Sequence, residues 1–323
     1  MSTQINAANQ LGTLGVEEIL GEGGEPKAPK KRSITARRPS AKRVATRTLL
    51  NIAAAIVFVC SAFPVYWMVN MSFTPNSEIT SRNPTFVPLP FTIQNYITAW
   101  TREAAPGQTD FPHALLATLT VTFGVLIATL LFAFLASVAI ARFRFGGRRM
   151  FIVAVLVVQM IPAEAMMFTV YGMIDDWRLL NTLLGLGIVY LAGVIPFTIW
   201  TLRGFVAGVP ADLEEAAMID GCTKSQAFWK VTFPLLAPGL IATGIFAFIQ
   251  SWNEFTMALL LLKGYNLTLM PWLNAFQSSS VGGAVNWGAV MAGSTLIALP
   301  VIIFFLIVQG RMTGGLVAGA VKG

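Results

Sequence analysis

The chain has 323 residues, of which 55% are hydrophobic and only 11% charged, with a net charge of +7. A soluble domain carries about a quarter charged residues, so the composition excludes a soluble enzyme with an ordinary hydrophilic surface and points to an all-α, polytopic membrane protein. Two Cys and one His exclude a disulfide scaffold and leave too few groups for a His-rich metal centre or a His-based triad; Cys60 and Cys222 read as unpaired thiols, and no metal site or catalytic residue is expected.

In chain order, residues 1–47 are rich in Gly, Pro, Lys, Arg and Ala and contain no apolar run, the pattern of a disordered arm. Six apolar runs then reach the length of about 20 residues that a helix needs to cross a bilayer. They lie near 48–70, 114–141, 150–173, 184–204, 237–262 and 288–310. The loop between the first two is long and Pro-rich, with a short helix expected over 91–100 and Thr92 as its N-cap. The Gly-rich fourth run suits close helix packing. Pro64, Pro162, Pro196, Pro238 and Pro300 lie in or at the ends of five runs, where a packing kink is the ordinary reading.

Eighteen of the 22 Lys and Arg fall in the N-terminal arm, the second and fourth inter-helix loops and the C-terminal tail; Arg82, Arg102, Arg178 and Lys263 lie on the other side. This asymmetry places both termini in the cytoplasm. The basic charge is a topology signal and gives no footprint for nucleic acid.

Two acids interrupt the apolar runs, Glu164 in the third and Glu254 in the fifth. A carboxylate is expensive in lipid, so each is expected to face the bundle interior or water. Gln250, Asn253 and Glu254 fall on one helical face by i, i+3, i+4 spacing and stand beside Trp252. Amide, carboxylate and indole suit a sugar. The same groups serve equally as glue between helices.

The cytoplasmic loop 205–236 has ordered local signals. Asp212 reads as an N-cap with Glu215 three residues later. Leu213, Ala216 and Ala217 share a face, and Gly221 stops the helix. Thr223 and Gln226 form a second capping box, and Pro234 ends the helix that follows. A short helix pair is poorly stable alone, so it packs either on its own membrane domain or on a soluble partner.

This loop resembles the EAA loop of bacterial ABC importer permeases. Glu215, Ala216 and Ala217 are followed after three residues by Gly221, then after nine by Val231, Phe233 and Pro234, with Val and Phe standing for the family's Ile and Leu. Asp220 before Gly221, Asn95–Tyr96, Trp252–Asn253–Glu254–Phe255 and the ending GLVAGAVKG resemble the carbohydrate branch, similar to the smaller maltose-permease subunit. The resemblance implies a type I importer permease fold in the bacterial inner membrane. It divides the chain into the arm 1–47, a first helix and outer loop 48–111, a core 112–310 and a tail 311–323. It also implies a separate ATPase dimer holding ATP and Mg, a second permease, and an extracytoplasmic sugar-binding protein docking on loops 71–113 and 263–287. No cofactor is expected on this chain, which has no G-x-x-x-x-G-K-[ST].

Asp212, Glu214, Glu215, Ala216, Ala217, Asp220, Gly221 and Pro234 become the expected ATPase-coupling residues. Glu164, Gln250, Trp252, Asn253 and Glu254 become the candidate translocation path for a di- or oligosaccharide. An ion-coupled transporter using Glu164 and Glu254, and an ABC permease for a polyol, amino sugar or glycerol phosphate, are the alternatives. Buried Lys or Arg, which a phosphorylated cargo would want, is absent from the predicted helix cores.

Overall fold

The computed structural model describes residues 41–81, 85–105, 107–279 and 285–320, with side-chain surroundings over 46–310. The arm expected over 1–47 lies outside the described residues up to position 40, and the helix has already begun at Ala41. The chain divides into two units, residues 1–59 and 60–323. In the first, residues 46–59 present an exposed apolar surface that includes Leu49, Leu50, Ile56 and Phe58, as a helix in contact with lipid would.

Every regular element among the described residues is helical. Helix α1 spans Ala41–Ser72, and a short turn of helix, α2, spans Asn76–Ile79. Then come α3, Gln94–Thr101; α4, Phe111–Arg142; α5, Arg148–Gln159; α6, Met167–Asp176; and α7, Leu183–Gly208. The cytoplasmic helix α8 spans Asp212–Ile219, and α9 runs from Lys224 to Trp252. Helices α10, Thr256–Leu261, α11, Leu269–Ser278, and α12, Trp287–Ala320, complete the chain.

Five helices are long and apolar enough to cross a membrane, and α5 with α6 makes a sixth crossing only as a pair bent by 87°. The third run is therefore not one continuous helix over 150–173. Pro162 lacks the N–H that would continue the ladder and drives the residue before it out of the α region; the chain turns there and re-forms as a 3₁₀ turn, Ala163–Met166. The fifth run also departs from expectation. Its helix ends at Trp252, and α10 is a separate short helix. The sixth runs on past 310 to Ala320.

Helices α4, α7 and α9 form the centre of the bundle, α4 and α7 packing along much of their lengths. Thr118, Thr122, Thr129, Ala133 and Ser137 are buried on α4. Lipid is as apolar as Leu, so small, weakly polar side chains that allow close approach drive such contacts in a membrane. Glycine serves the same end at only part of the Gly-rich fourth run: a β-carbon on Gly187 would lie 4.0 Å from Val125 of α4, whereas Gly193 and Gly204 meet nothing nearby. A β-carbon on Gly239 of α9 would instead lie 2.5 Å from the Phe205 ring.

Gly185 has a different role, at the start of α7. Thr182 caps this helix, its Oγ1 accepting the Gly185 N–H at 3.0 Å. A β-carbon at 185 would lie 2.4 Å from the Leu179 carbonyl oxygen, a main-chain atom that cannot swing away. Gly185→Ala is expected to destabilise the bundle by about 1–3 kcal/mol, read as a lower melting temperature of the detergent-solubilised protein. An unchanged melting curve would show that this turn relaxes freely.

On the outer side, Asp110 caps α4 by accepting the His113 N–H at 3.1 Å, with the imidazole Nδ1 2.6 Å from the same oxygen. Burial alone would raise the Asp110 carboxyl, but these hydrogen bonds and the His113 charge outweigh it and hold the group below the usual carboxylate range. The cap of α3 is not the side chain of Thr92: Ile93 takes the cap position, and the Thr92 hydroxyl accepts the Gln94 N–H at 3.1 Å from one residue upstream.

Candidate functional site

The Asn95–Tyr96 pair is a brace. The buried Asn95 amide donates to the carbonyls of Ser72 and Thr74 at 3.0 and 2.8 Å, and Tyr96 Oη lies 2.8 Å from Ser72 Oγ. Gly288 lets α12 approach this amide; its β-carbon would lie 2.4 Å from Asn95 Nδ2. The two outer loops are also joined to each other. The Trp287 N–H donates to Asn76 Oδ1 at 2.9 Å, the Arg102 guanidinium to the Ser279 carbonyl at 2.5 Å, and the Thr109 N–H to the Gly264 carbonyl at 3.2 Å. Phe86, Val87, Leu89 and Phe91 stay exposed on this outer cap.

The candidate path residues do not come together as one face. Glu164 sits in the 3₁₀ turn after the Pro162 break and is exposed, outside any continuous membrane helix. Gln250 is exposed near the end of α9. Trp252 is 1% exposed, stacked on Phe248 at 5.4 Å and packed in the cluster of Phe111, Trp272 and Phe276; it is a core residue. Asn253, in the break, is exposed and donates to the Ile249 carbonyl at 3.0 Å. Glu254 lies just beyond the break. One of its oxygens accepts the Met257 N–H at 2.7 Å. The other accepts the Ala258 N–H at 3.0 Å and the Tyr190 hydroxyl at 2.6 Å. The carboxylate thus satisfies main-chain donors that the helix break orphans, and the i, i+3, i+4 face is lost because no helix runs through 253–255.

The cytoplasmic loop keeps more of its expected form. Asp220 is the C-cap of α8, and Gly221 follows at φ 92, a left-handed value that L side chains resist. The Gly221 N–H donates to the Met218 carbonyl at 3.1 Å and the Cys222 N–H to the Ala217 carbonyl at 3.0 Å, the paired bonds of a Schellman ending. The Thr223–Gln226 capping box forms as read, at 2.9 and 3.3 Å. The Asp212 cap does not: Ala211 holds the cap position, and Asp212 is already inside the first turn. With Glu214 and Glu215 it puts three acids at the positive end of the helix dipole.

Pro234 does not end a helix either. A π-helical segment, Phe228–Thr232, precedes it and runs straight into the rest of α9. The wider turn accommodates the missing proline N–H, so the loop's second helix is the cytoplasmic extension of a membrane span.

Helix α8 buries none of its residues. Its apolar side chains stand in water, with Ile219 87% exposed and Leu213 and Met218 partly so; Ala216 and Glu215 are exposed beside them. Ala217 is half-buried and Glu214 points inward. Glu214 Oε1 accepts the Thr232 hydroxyl at 2.6 Å and lies 3.3 Å from Arg142 Nη2, while the same Arg142 nitrogen donates to the Val209 carbonyl at 3.1 Å. Arg142 and Thr232 had no signal in the sequence beyond a loop charge and a helix hydroxyl. Among the described residues, no group of His, Cys, Asp and Glu is arranged to hold a metal ion.

The chain is a helical bundle with a bent third crossing, a largely exposed loop helix and an outer cap joined by hydrogen bonds, and its relatives are transport permeases. Residues 130–313 match the binding-protein-dependent transport system inner membrane component, and the chain belongs to that family. It is 44% identical over 274 residues to the diacetylchitobiose uptake system permease protein of Streptomyces coelicolor, covering 84% of this chain and 96% of that one. It is 32% identical to the trehalose/maltose transport system permease protein of Thermococcus litoralis, covering 87% and 99%. In structure it is similar to a chain of a bacterial ABC transporter that imports alginate, with a TM-score of 0.71 at 22% identity over 85% of this chain and 99% of that one, which shows the fold.

Proposed function

We propose that this inner-membrane permease forms half of the translocation path of an ABC importer for a disaccharide or short oligosaccharide. A separate ATPase, holding ATP and Mg, drives it through loop 205–236. The observation that carries the reading is α8: a water-exposed helix with an almost fully exposed Ile219 at its tip, ended by a glycine in the left-handed region. A large apolar side chain held in water next to a fixed corner is the form of a docking element awaiting a partner. Asp212, Glu214, Glu215, Ala216, Ala217, Asp220 and Gly221 build that element, and Pro234 lies where its thrust enters the membrane span.

The sugar class rests on the relatives, whose names give diacetylchitobiose and trehalose or maltose as cargo. A second permease of the same family would complete the path, and a sugar-loaded binding protein would dock on the outer cap formed by loops 71–113 and 263–287. The ion-coupled alternative loses its ground in Glu254, whose carboxylate is committed to two main-chain N–H groups and Tyr190.

Affinity purification of the full chain from its native membrane is expected to recover an ATPase with a phosphate-binding loop and a second permease. Cells carrying the intact gene should take up labelled diacetylchitobiose, trehalose or maltose, and cells lacking it should not. A lone chain that supports ion-driven uptake would overturn the reading.

A further inference from the structure

Helix α8 has no fully buried residue, and its large apolar side chains Leu213, Met218 and Ile219 are exposed, so apolar packing adds little to its attachment to the bundle. The structure provides a polar attachment instead. Arg142 is the last residue of α4, Val209 follows the end of α7, Glu214 lies on α8, and Thr232 is the last residue of the π-helical segment of α9. One guanidinium nitrogen bridges Val209 O and Glu214 Oε1, and the same carboxylate oxygen accepts the Thr232 hydroxyl. Four elements meet at this chain of three contacts.

The side chains of Arg142 and Glu214 are only 20% and 17% exposed, and Thr232 is fully buried. At that burial an ion pair is screened by salt far less than a surface pair. Breaking it would leave a partly buried charge without its partner. The π-helical segment adds a second sign of function, since such segments inside α-helices are frequent at functional sites.

We propose that Arg142, Glu214 and Thr232 are positioning residues that form the mechanical joint between the coupling helix and the membrane bundle. A thrust on α8 reaches the ends of α4, α7 and α9 through this joint, and cutting it separates ATP hydrolysis from transport. The proposal rests on the coupling reading above and deepens it, by naming residues whose side chains bond to one another inside the permease.

The test uses the assembled importer, with its ATPase, second permease and binding protein, reconstituted in proteoliposomes. Uptake of the disaccharide that the wild type imports and ATP hydrolysis are measured on the same preparation. Glu214→Ala and Arg142→Met should each lower sugar moved per ATP at least tenfold, with all subunits still assembled. Thr232→Val should lower it about two- to threefold. The charge swap Arg142→Glu with Glu214→Arg should recover a substantial part of the ratio.

A role limited to folding would lower uptake and hydrolysis together and leave their ratio unchanged, which would overturn the proposal. So would an unaltered ratio in Glu214→Ala, or a swap that rescues nothing. If the wild type assembles with no ATPase, the coupling reading itself has failed, a result recognisable before any variant is made.

Discussion

Ile219→Asp is expected to abolish sugar uptake while the permease remains folded and in the membrane. The side chain is 87% exposed, so the substitution removes little contact within this chain and adds an acid to a helix turn already in water. In the assembled importer the same position would be covered. Burying an isoleucine contributes about 1.5–3 kcal/mol, and an aspartate there would forfeit that gain and add the cost of desolvating a charge. The two effects together weaken docking by roughly a hundredfold or more, since each 1.4 kcal/mol is a factor of ten.

Gly221→Val tests the corner beside it. A β-branched residue at φ 92 is strained by about 1–2 kcal/mol, enough to unwind the Schellman ending and misdirect α8. Uptake and co-purification of the ATPase, measured beside the amount of permease in the membrane, give the answer. Full uptake in Ile219→Asp would mean that the exposed face is bare in the working complex. Loss of the permease from the membrane would instead make the loop a folding element.

The second large effect falls on Glu254. Glu254→Ala is expected to destabilise the protein by about 2–4 kcal/mol. Removal of an acceptor from the buried Tyr190 hydroxyl accounts for about 1–3 kcal/mol, and loss of a helix cap for about 1. At roughly 2–4 °C per kcal/mol for a chain of this size, the melting temperature of the solubilised protein should fall by about 5 °C or more. Glu254→Gln keeps one acceptor oxygen and should lose less. A raised sugar concentration for half-maximal uptake, with melting unchanged, would return Glu254 to the translocation path and make its capping bonds incidental.

The loop 205–236 was legible in the sequence because its determinants are local. Gly221 stops α8 through its own backbone freedom, and Thr223 with Gln226 caps the next helix by bonds that span three residues. The Asp212 cap is not formed: Ala211 holds the cap position with no side-chain hydrogen bond, and Asp212 sits in the first turn, where its charge meets the helix dipole. Pro234 failed as a stop because a π-helical turn can absorb a missing N–H, which no pattern of apolar residues reveals.

The path residues misled for a related reason. Hydropathy sees the apolar run 237–262 as one span and is blind to the break after Trp252, so of the side chains placed on one ideal helical face Gln250 and Asn253 ended in solvent and Glu254 on main-chain donors, while Trp252 beside them ended in the core. The same blindness joined α5 to α6 across Pro162.

Composition and the spacing of Lys and Arg determined, by themselves, that this is a many-helix membrane protein, and the residues from Glu215 to Pro234 carried its resemblance to a permease family. The membrane class and the local form of that loop follow from solvent partitioning and short-range backbone chemistry, which are written along the chain. The tertiary structure alone decided that Glu254 is a cap, that Trp252 is core, and that Arg142, Glu214 and Thr232 meet. Those outcomes depend on which helix ends are brought together in space, and a carboxylate's role is set by the donors that reach it rather than by its neighbours in sequence.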